Sequence, residues 1–168
     1  MHAIGKTWFM CTALLAAGAC TDEVNTSDTE QETASSGATA VTLARVNLGD
    51  AKVDLKWTDP HGDKIKARIN EDVDLQLQQV TFVPGGHSGW HAHPGPAIIS
   101  VAEGTGTLYT EDSPCEGAVY AAGTGFIEKE GGVHILRNEG TTNLRIIIQW
   151  IIPKGAAARI DAPALACP

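Results

Sequence analysis

From Val41 onward the sequence breaks into short β-prone runs separated by turn-forming residues, with no heptad and no long stretch of helical period. That punctuation limits the fold more than any other feature. With 18 glycines and only 5% aromatics, the chain can close many tight turns but has few large rings around which to build a helical bundle. Residues 73–83 (VDLQLQQVTFV) place apolar side chains at Val73, Leu75 and Leu77 and then change phase near Gln78 and Gln79, which predicts a strand with a bulge or bend. Pro84-Gly85-Gly86 should end it. Residues 97–109 predict two short strands around Gly104 and Gly106, and residues 123–128 another. Residues 143–152 (NLRIIIQWII) predict the longest strand, with the continuous apolar run expected of burial on both faces.

The first 19 residues do not fit this pattern. Lys6 precedes the apolar stretch WFMCTALLAA, too short to span a bilayer, and Ala17-Gly18-Ala19 follows, which reads as an export signal over residues 1–19. Cleavage before Cys20 resembles that of bacterial lipoprotein signals, in which the cysteine is lipidated. Those signals carry Leu where this chain has Ala17, so a free secreted form stays open beside the anchored one. Residues 20–40 hold five acids, no base and hardly any bulk, and are expected to be a disordered acidic tether ahead of a domain at 41–168.

Charge and cysteines narrow the setting. The formal net charge is −8, which excludes nucleic acid as a partner because phosphate binding needs a basic face. With the signal and tether set aside, 11 basic and 15 acidic residues remain, a net −4, so half of the net negative charge lies outside the domain. Cys11 leaves with the signal, and Cys20, Cys115 and Cys167 make an odd set in an oxidising compartment. If Cys115 and Cys167 pair, Cys20 is the one left over, and lipidation accounts for it.

The histidines carry the chemistry. His91 and His93 are two residues apart, so on a strand both imidazoles project from one face. His134 opens a later strand just after Gly131-Gly132. Neutral imidazole suits Zn, Fe, Cu and Ni, and a pair joined by a third makes a metal face.

The surroundings of these histidines resemble the cupin superfamily. Its first motif runs Gly, five residues, His-x-His, three or four residues, Glu, six residues, Gly, and Gly85, His91, His93 and Gly104 stand at those intervals. Its second motif is matched by Gly123, Gly131, His134 and Asn138, with Lys129 in place of Pro. The resemblance covers roughly 41–168, and the stretches GGHSGWHAHPGP, TLYTEDSPC and VHILRNEG are similar to small bacterial single-domain cupins. It implies an all-β cupin double-stranded β-helix, a jelly-roll barrel whose interior is the ligand pocket. It also implies a divalent metal ion held by His91, His93 and His134, with Fe, Zn, Mn, Cu and Ni all compatible. The motif Glu should stand at 97 or 98, where this chain has Ala97 and Ile98. The expected site is therefore three histidines without a carboxylate, similar to that of cupin thiol and diketone dioxygenases. Such a site should be locally positive and favour anionic or chelating ligands.

The neighbouring side chains are expected to do other work. His87 reads as a solvated loop residue, Glu103 as an exposed acid at the Gly104 turn, Trp90 as core and Asn138 as a turn residue. Gln149 either lines the pocket or makes a core hydrogen bond, and Tyr109 and Arg137 are candidate pocket residues. Two functions stay open: an extracytoplasmic metal-dependent enzyme, a dioxygenase or lyase acting on a small molecule, and a protein that binds a metal or small ligand without turnover. The partners expected are a small molecule and, through Cys20 alone, a membrane in the cell envelope, with secretion and a homodimer left open.

Overall fold

The computed structural model describes residues 33–49, 52–58, 60–62 and 64–167. The expected signal (1–19) and residues 20–32 of the expected tether, Cys20 included, lie outside them. The described residues form strands and turns with no helix. The strands are β1 (Ser36–Asn47), β2 (Val53–Thr58), β3 (Lys64–Ile69), β4 (Val73–His87), β5 (His91–Ala92), β6 (Ala97–Glu103), β7 (Thr105–Thr110), β8 (Ser113–Ala121), β9 (Gly125–Glu128), β10 (His134–Arg137), β11 (Leu144–Pro153) and β12 (Ile160–Asp161). Ten of them form one sheet in which β12, β5, β10, β4, β11, β6 and β9 lie side by side, β1 flanks β4, and β7 joins β10 to β8. This is the expected jelly-roll barrel. Strands β2 and β3 form a separate antiparallel ribbon.

Four strand expectations need correction. Residues 36–40, assigned by composition to the tether, are the first part of β1, and Ala38 and Ala40 pair with Phe82 and Val80 of β4. Their small side chains gave no apolar signal, but their backbone ladder with β4 orders them. Strand β4 does not end at Pro84 but runs on to His87. Pro84 is exposed and lies beyond the last ladder pair with β11, Leu144 with Phe82, so its missing N–H costs no bond there. Nor does β4 change phase: Gln76, Gln78, Val80 and Phe82 all line the same cavity, so its inner face is polar at one end and apolar at the other. The bulge lies instead on β1, between Thr42 and Ala44, opposite Gln78 and Leu77.

The long apolar run in β11 is also buried on one face only. Leu144, Ile146, Ile148, Trp150 and Ile152 are buried in alternation, while Ile147 and Ile151 are half-exposed. These five pack with Val80 and Phe82 of β4 and with Ala97, Ile99 and Val101 of β6 into the main core. A smaller cluster of Trp90, Ile135 and Ala162 closes the end where β5, β10 and β12 meet. At the turn after β6, Gly104 has φ of 73°, and a Cβ there would lie 2.4 Å from the Asn143 carbonyl oxygen, so only glycine fits.

Two devices tie strand ends together. Asp74 on β4 accepts bonds from Arg45 Nε (2.9 Å) and Nη2 (2.7 Å) and from Asn47 Nδ2 (2.9 Å) on β1, and from the Gly155 N–H (3.0 Å) after β11. The bonds from Asn47, Gly155 and Arg45 hold its carboxyl at about 2. A Cys115–Cys167 disulfide fastens β8 to the segment after β12, a separation of 52 residues. By chain entropy a loop of that size stabilises the fold by about 4 kcal/mol.

Two outcomes follow. Non-reduced mass spectrometry should find Cys115 and Cys167 joined, and the double Cys→Ser variant should melt well below the parent, whereas two free thiols would remove the clamp. Because the Asp74 carboxyl is depressed, its contribution is complete above the unfolded value near 3.8 and is lost as pH falls towards 2. The melting temperature of Asp74→Asn should therefore lie below that of the parent at pH 6 and converge on it by pH 2.

Candidate metal centre

Strand geometry delivers the three histidines to one point. His91 begins β5 and pairs with His134 at the start of β10, so the two imidazoles come from directly opposed ladder positions. His93 follows one residue after β5 and turns into the same space. The three ring centroids are 4.5 to 5.0 Å apart, and the nitrogens available for coordination all lie within 4.8 Å of one another. All three side chains are buried.

Their backbone surroundings fix which nitrogen faces inward. His91 Nδ1 lies 2.8 Å from the Gly89 carbonyl oxygen, His93 Nδ1 2.5 Å from that of Ala158, and His134 Nδ1 2.8 Å from that of Gly132. A carbonyl oxygen only accepts, so each Nδ1 carries the proton and each Nε2 is left with its lone pair in the neutral ring. Such an outer contact is what orients a histidine that ligates a metal. Burial, reinforced by the neighbouring His134, Arg159 and His93, pushes His91 down to about 3 and keeps it neutral. A set of three convergent neutral imidazoles can bind a divalent metal ion.

The three histidines form the expected group, and a carboxylate that sequence reading did not foresee adjoins it. Positions 97 and 98 do lack one, but Glu128 at the end of β9 is 8% exposed, with Oε2 3.0 Å from His93 Nε2 and Oε1 3.1 Å from His134 Nε2. Burial raises the Glu128 carboxyl, but the two imidazoles outweigh it and hold the group far below the usual carboxylate range. Burial likewise pulls His134 down, and the Glu128 carboxylate beside it more than compensates, raising it above its ordinary value. The pocket is thus not as positive as three neutral ligands alone would make it. Glu128 was hidden because it falls outside the first motif, next to the second-motif position held by Lys129; the ladder pairing of β6 with β9 is what brings it in.

The fit to a metal can be tested on one atom. His134 Nε2 is buried and has no hydrogen-bond partner, because its contact with Glu128 is close but poorly aligned. A buried polar atom left without a partner costs roughly 1–3 kcal/mol. A cation shared by the imidazoles would satisfy it, and the nitrogen and oxygen donors suit a first-row divalent ion. The residues therefore fit the group.

A cavity of about 340 Å³ opens onto His91, His93 and Glu128 and is otherwise walled mainly by Val80, Phe82, Leu136, Ile146, Ile148 and Trp150. Arg159 stands on its wall, donating through Nη1 to the Ser88 carbonyl oxygen (2.8 Å) and through Nη2 to that of Thr33 (3.3 Å), and pairing with Asp161. A second cavity of about 140 Å³ meets Glu128 and His134 from the other side.

The other sequence candidates fall away from this centre. His87 is the half-buried last residue of β4, not the solvated loop residue expected, and accepts the Gly89 N–H at Nδ1; Glu103 is exposed and paired with Arg145, and Trp90 is core, both as expected. Asn138 is 1% exposed and bonds to the Phe82 and Thr142 carbonyl oxygens and the Gly140 N–H, securing the turn after β10. Gln149 is exposed and lines neither cavity. Tyr109 donates to Glu139 and Arg137 pairs with the same acid, so neither reaches the pocket. Sequence reading missed Arg159, which carries no motif signal.

Residues 78–150 match the family model for the Cupin domain. No curated protein matches the chain in sequence. Among solved structures, the polyketide cyclase RemF from Streptomyces resistomycificus is similar, with TM-score 0.51 and 17% identity over 77% of this chain and 75% of that one. A cupin 2 conserved barrel domain protein from Leptotrichia buccalis gives TM-score 0.45 and 16% identity over 68% of this chain and 40% of that one. An oxalate oxidase in complex with the substrate analogue glycolate gives 0.42 and 24% over 45% and 41%. The chain thus spans less than half the length of these last two. The likeness to the polyketide cyclase concerns the fold alone; the matched domain and the three-histidine group support a metal-binding cupin.

Proposed function

We propose that the chain is a metal-binding cupin that holds a divalent ion on His91, His93 and His134 and turns over a small molecule in the cavity beside it, as a dioxygenase or a lyase. One observation carries the reading: three imidazoles, each fixed by a backbone carbonyl, present their Nε2 atoms to one buried point, and two of them, His91 and His93, line an apolar cavity. When bound, the ion would supply a Lewis acid or, if iron, a centre for oxygen chemistry.

The chain's own residues do the rest. Val80, Phe82, Ile146 and Ile148 exclude water and take the apolar body of a ligand whose volume is limited by about 340 Å³. Arg159 adds a fixed positive charge to the wall, which favours a ligand bearing an anionic oxygen. The Cys115–Cys167 disulfide supports the extracytoplasmic setting, since such bonds persist in oxidising compartments. Together with the export signal read at 1–19, it supports an exported protein, anchored at Cys20 or secreted.

Metal analysis of protein purified without a histidine tag should find about one first-row ion per chain, falling to roughly a tenth or less in His91→Ala and His134→Ala. Full retention in either variant would refute the three-histidine site. Loaded with that metal, the protein should consume oxygen or release an elimination product with small oxygen-bearing acids of apolar body. Tight binding of such acids without turnover would replace the enzyme reading by the binding one.

A further inference from the structure

We infer that Glu128 is itself a ligand of this metal centre, a carboxylate moved from the first motif to the neighbouring strand. The inference rests on the metal-binding reading above and adds to it a residue outside both motif patterns. Its starting point is the β6–β9 ladder, in which Ala97 and Glu128 are directly opposed. Directly opposed residues of an antiparallel pair project from the same face, with Cβ atoms about 5 Å apart. Ala97 occupies one of the two positions where the motif acid should stand, and it is fully buried. Glu128 therefore reaches the same space from one strand over, and the side chain of Ala97, ending at Cβ, leaves that space free.

The contacts around Glu128 call for a positive centre. Its Oε2 and Oε1 face His93 Nε2 at 3.0 Å and His134 Nε2 at 3.1 Å. Because both Nδ1 atoms face carbonyl oxygens, Nε2 is the nitrogen that each ring has left to offer a cation. Lone pair against carboxylate at this distance is repulsive unless a proton or a cation lies between them. A single divalent ion between these donors would meet the carboxylate and both imidazoles at one point. The spacing agrees: two donors each about 2.1 Å from one ion, at right angles, stand about 3.0 Å apart. The poor alignment of His134 Nε2 with Glu128 fits two groups aimed at a common point rather than at each other.

The test compares three mature-length proteins purified without a tag: the parent, Glu128→Gln, and the double variant Ala97→Glu/Glu128→Ala, which moves the carboxylate to the motif position. Cobalt(II) affinity is measured by competition with a chelator, and the visible absorption of bound cobalt reports its ligand field. Glu128→Gln should bind at least 10-fold more weakly with an altered spectrum, and the double variant should recover most of the lost affinity. Unchanged affinity and spectrum in Glu128→Gln, while His91→Ala abolishes binding, would overturn the inference and leave the three-histidine site standing. Absence of cobalt binding by the parent would overturn both. Circular dichroism of the metal-free proteins checks folding. Should either variant fail to fold, Glu128→Asp, one methylene shorter, takes its place: a loss of affinity of 10-fold or more supports ligation, and parental affinity overturns it.

Discussion

The commitment of three Nδ1 protons to three backbone carbonyls is the interaction on which the site depends. Each of those carbonyls belongs to a different stretch: Gly89 ahead of β5, Gly132 ahead of β10 and Ala158 ahead of β12. A loop after the last long strand therefore has to be in place before His93 is oriented. Once all three protons are committed, three Nε2 atoms and a carboxylate share one buried volume, and that volume has to hold positive charge. Fold and chemistry are linked at this point, since the barrel's loops set the tautomers and the tautomers define what the site can bind.

Most of this architecture was legible in the sequence because glycine and histidine spacing is a backbone statement. Gly104 and Gly131 both have φ above 70°, and the two-residue spacing of His91 and His93 needs only an extended backbone to place both rings together. Side-chain alternation was a poorer guide. The inner face of β4 carries Gln76 and Gln78 while Leu75 and Leu77 are half-buried, so the apolar residues did not mark the inward face and the apparent phase change was not a bulge in this strand. In β11 two of the half-exposed positions, Ile147 and Ile151, are themselves apolar, which blurred the period-two signal in a strand that is buried on one side.

What was hidden depends on pairings between distant residues. Glu128 lies 35 residues from His93, and nothing in the local sequence says that β9 aligns Glu128 with Ala97. A motif scan looks for the acid along one strand. A sheet can supply it equally well from the next strand, because opposed positions are closer to each other than residues two apart on the same strand are. Losing the motif acid while keeping an alanine there is therefore a different event from losing the carboxylate. The small residue at 97 is the condition for the larger one at 128, since two acids at that spacing would repel each other in a buried place.

The same logic explains why there is a cavity at all. Residues 33–40 (TASSGATA) contain nothing larger than threonine, and composition alone places them with the solvated tether. Their ladder with β4 puts Ala38 opposite Phe82 and Ala40 opposite Val80, and Ser35, Ala38 and Ala40 all line the large cavity. Large side chains at these β1 positions would fill the cavity that they line. Small ones leave it open while their backbone still completes the wall. Thr33 reinforces that wall: its carbonyl accepts from Arg159 and its hydroxyl accepts the Trp90 N–H at 2.5 Å. The segment that looks least like protein core therefore supplies one side of the pocket, and its lack of bulk, which hid it as a strand, is what gives a ligand room beside the histidines.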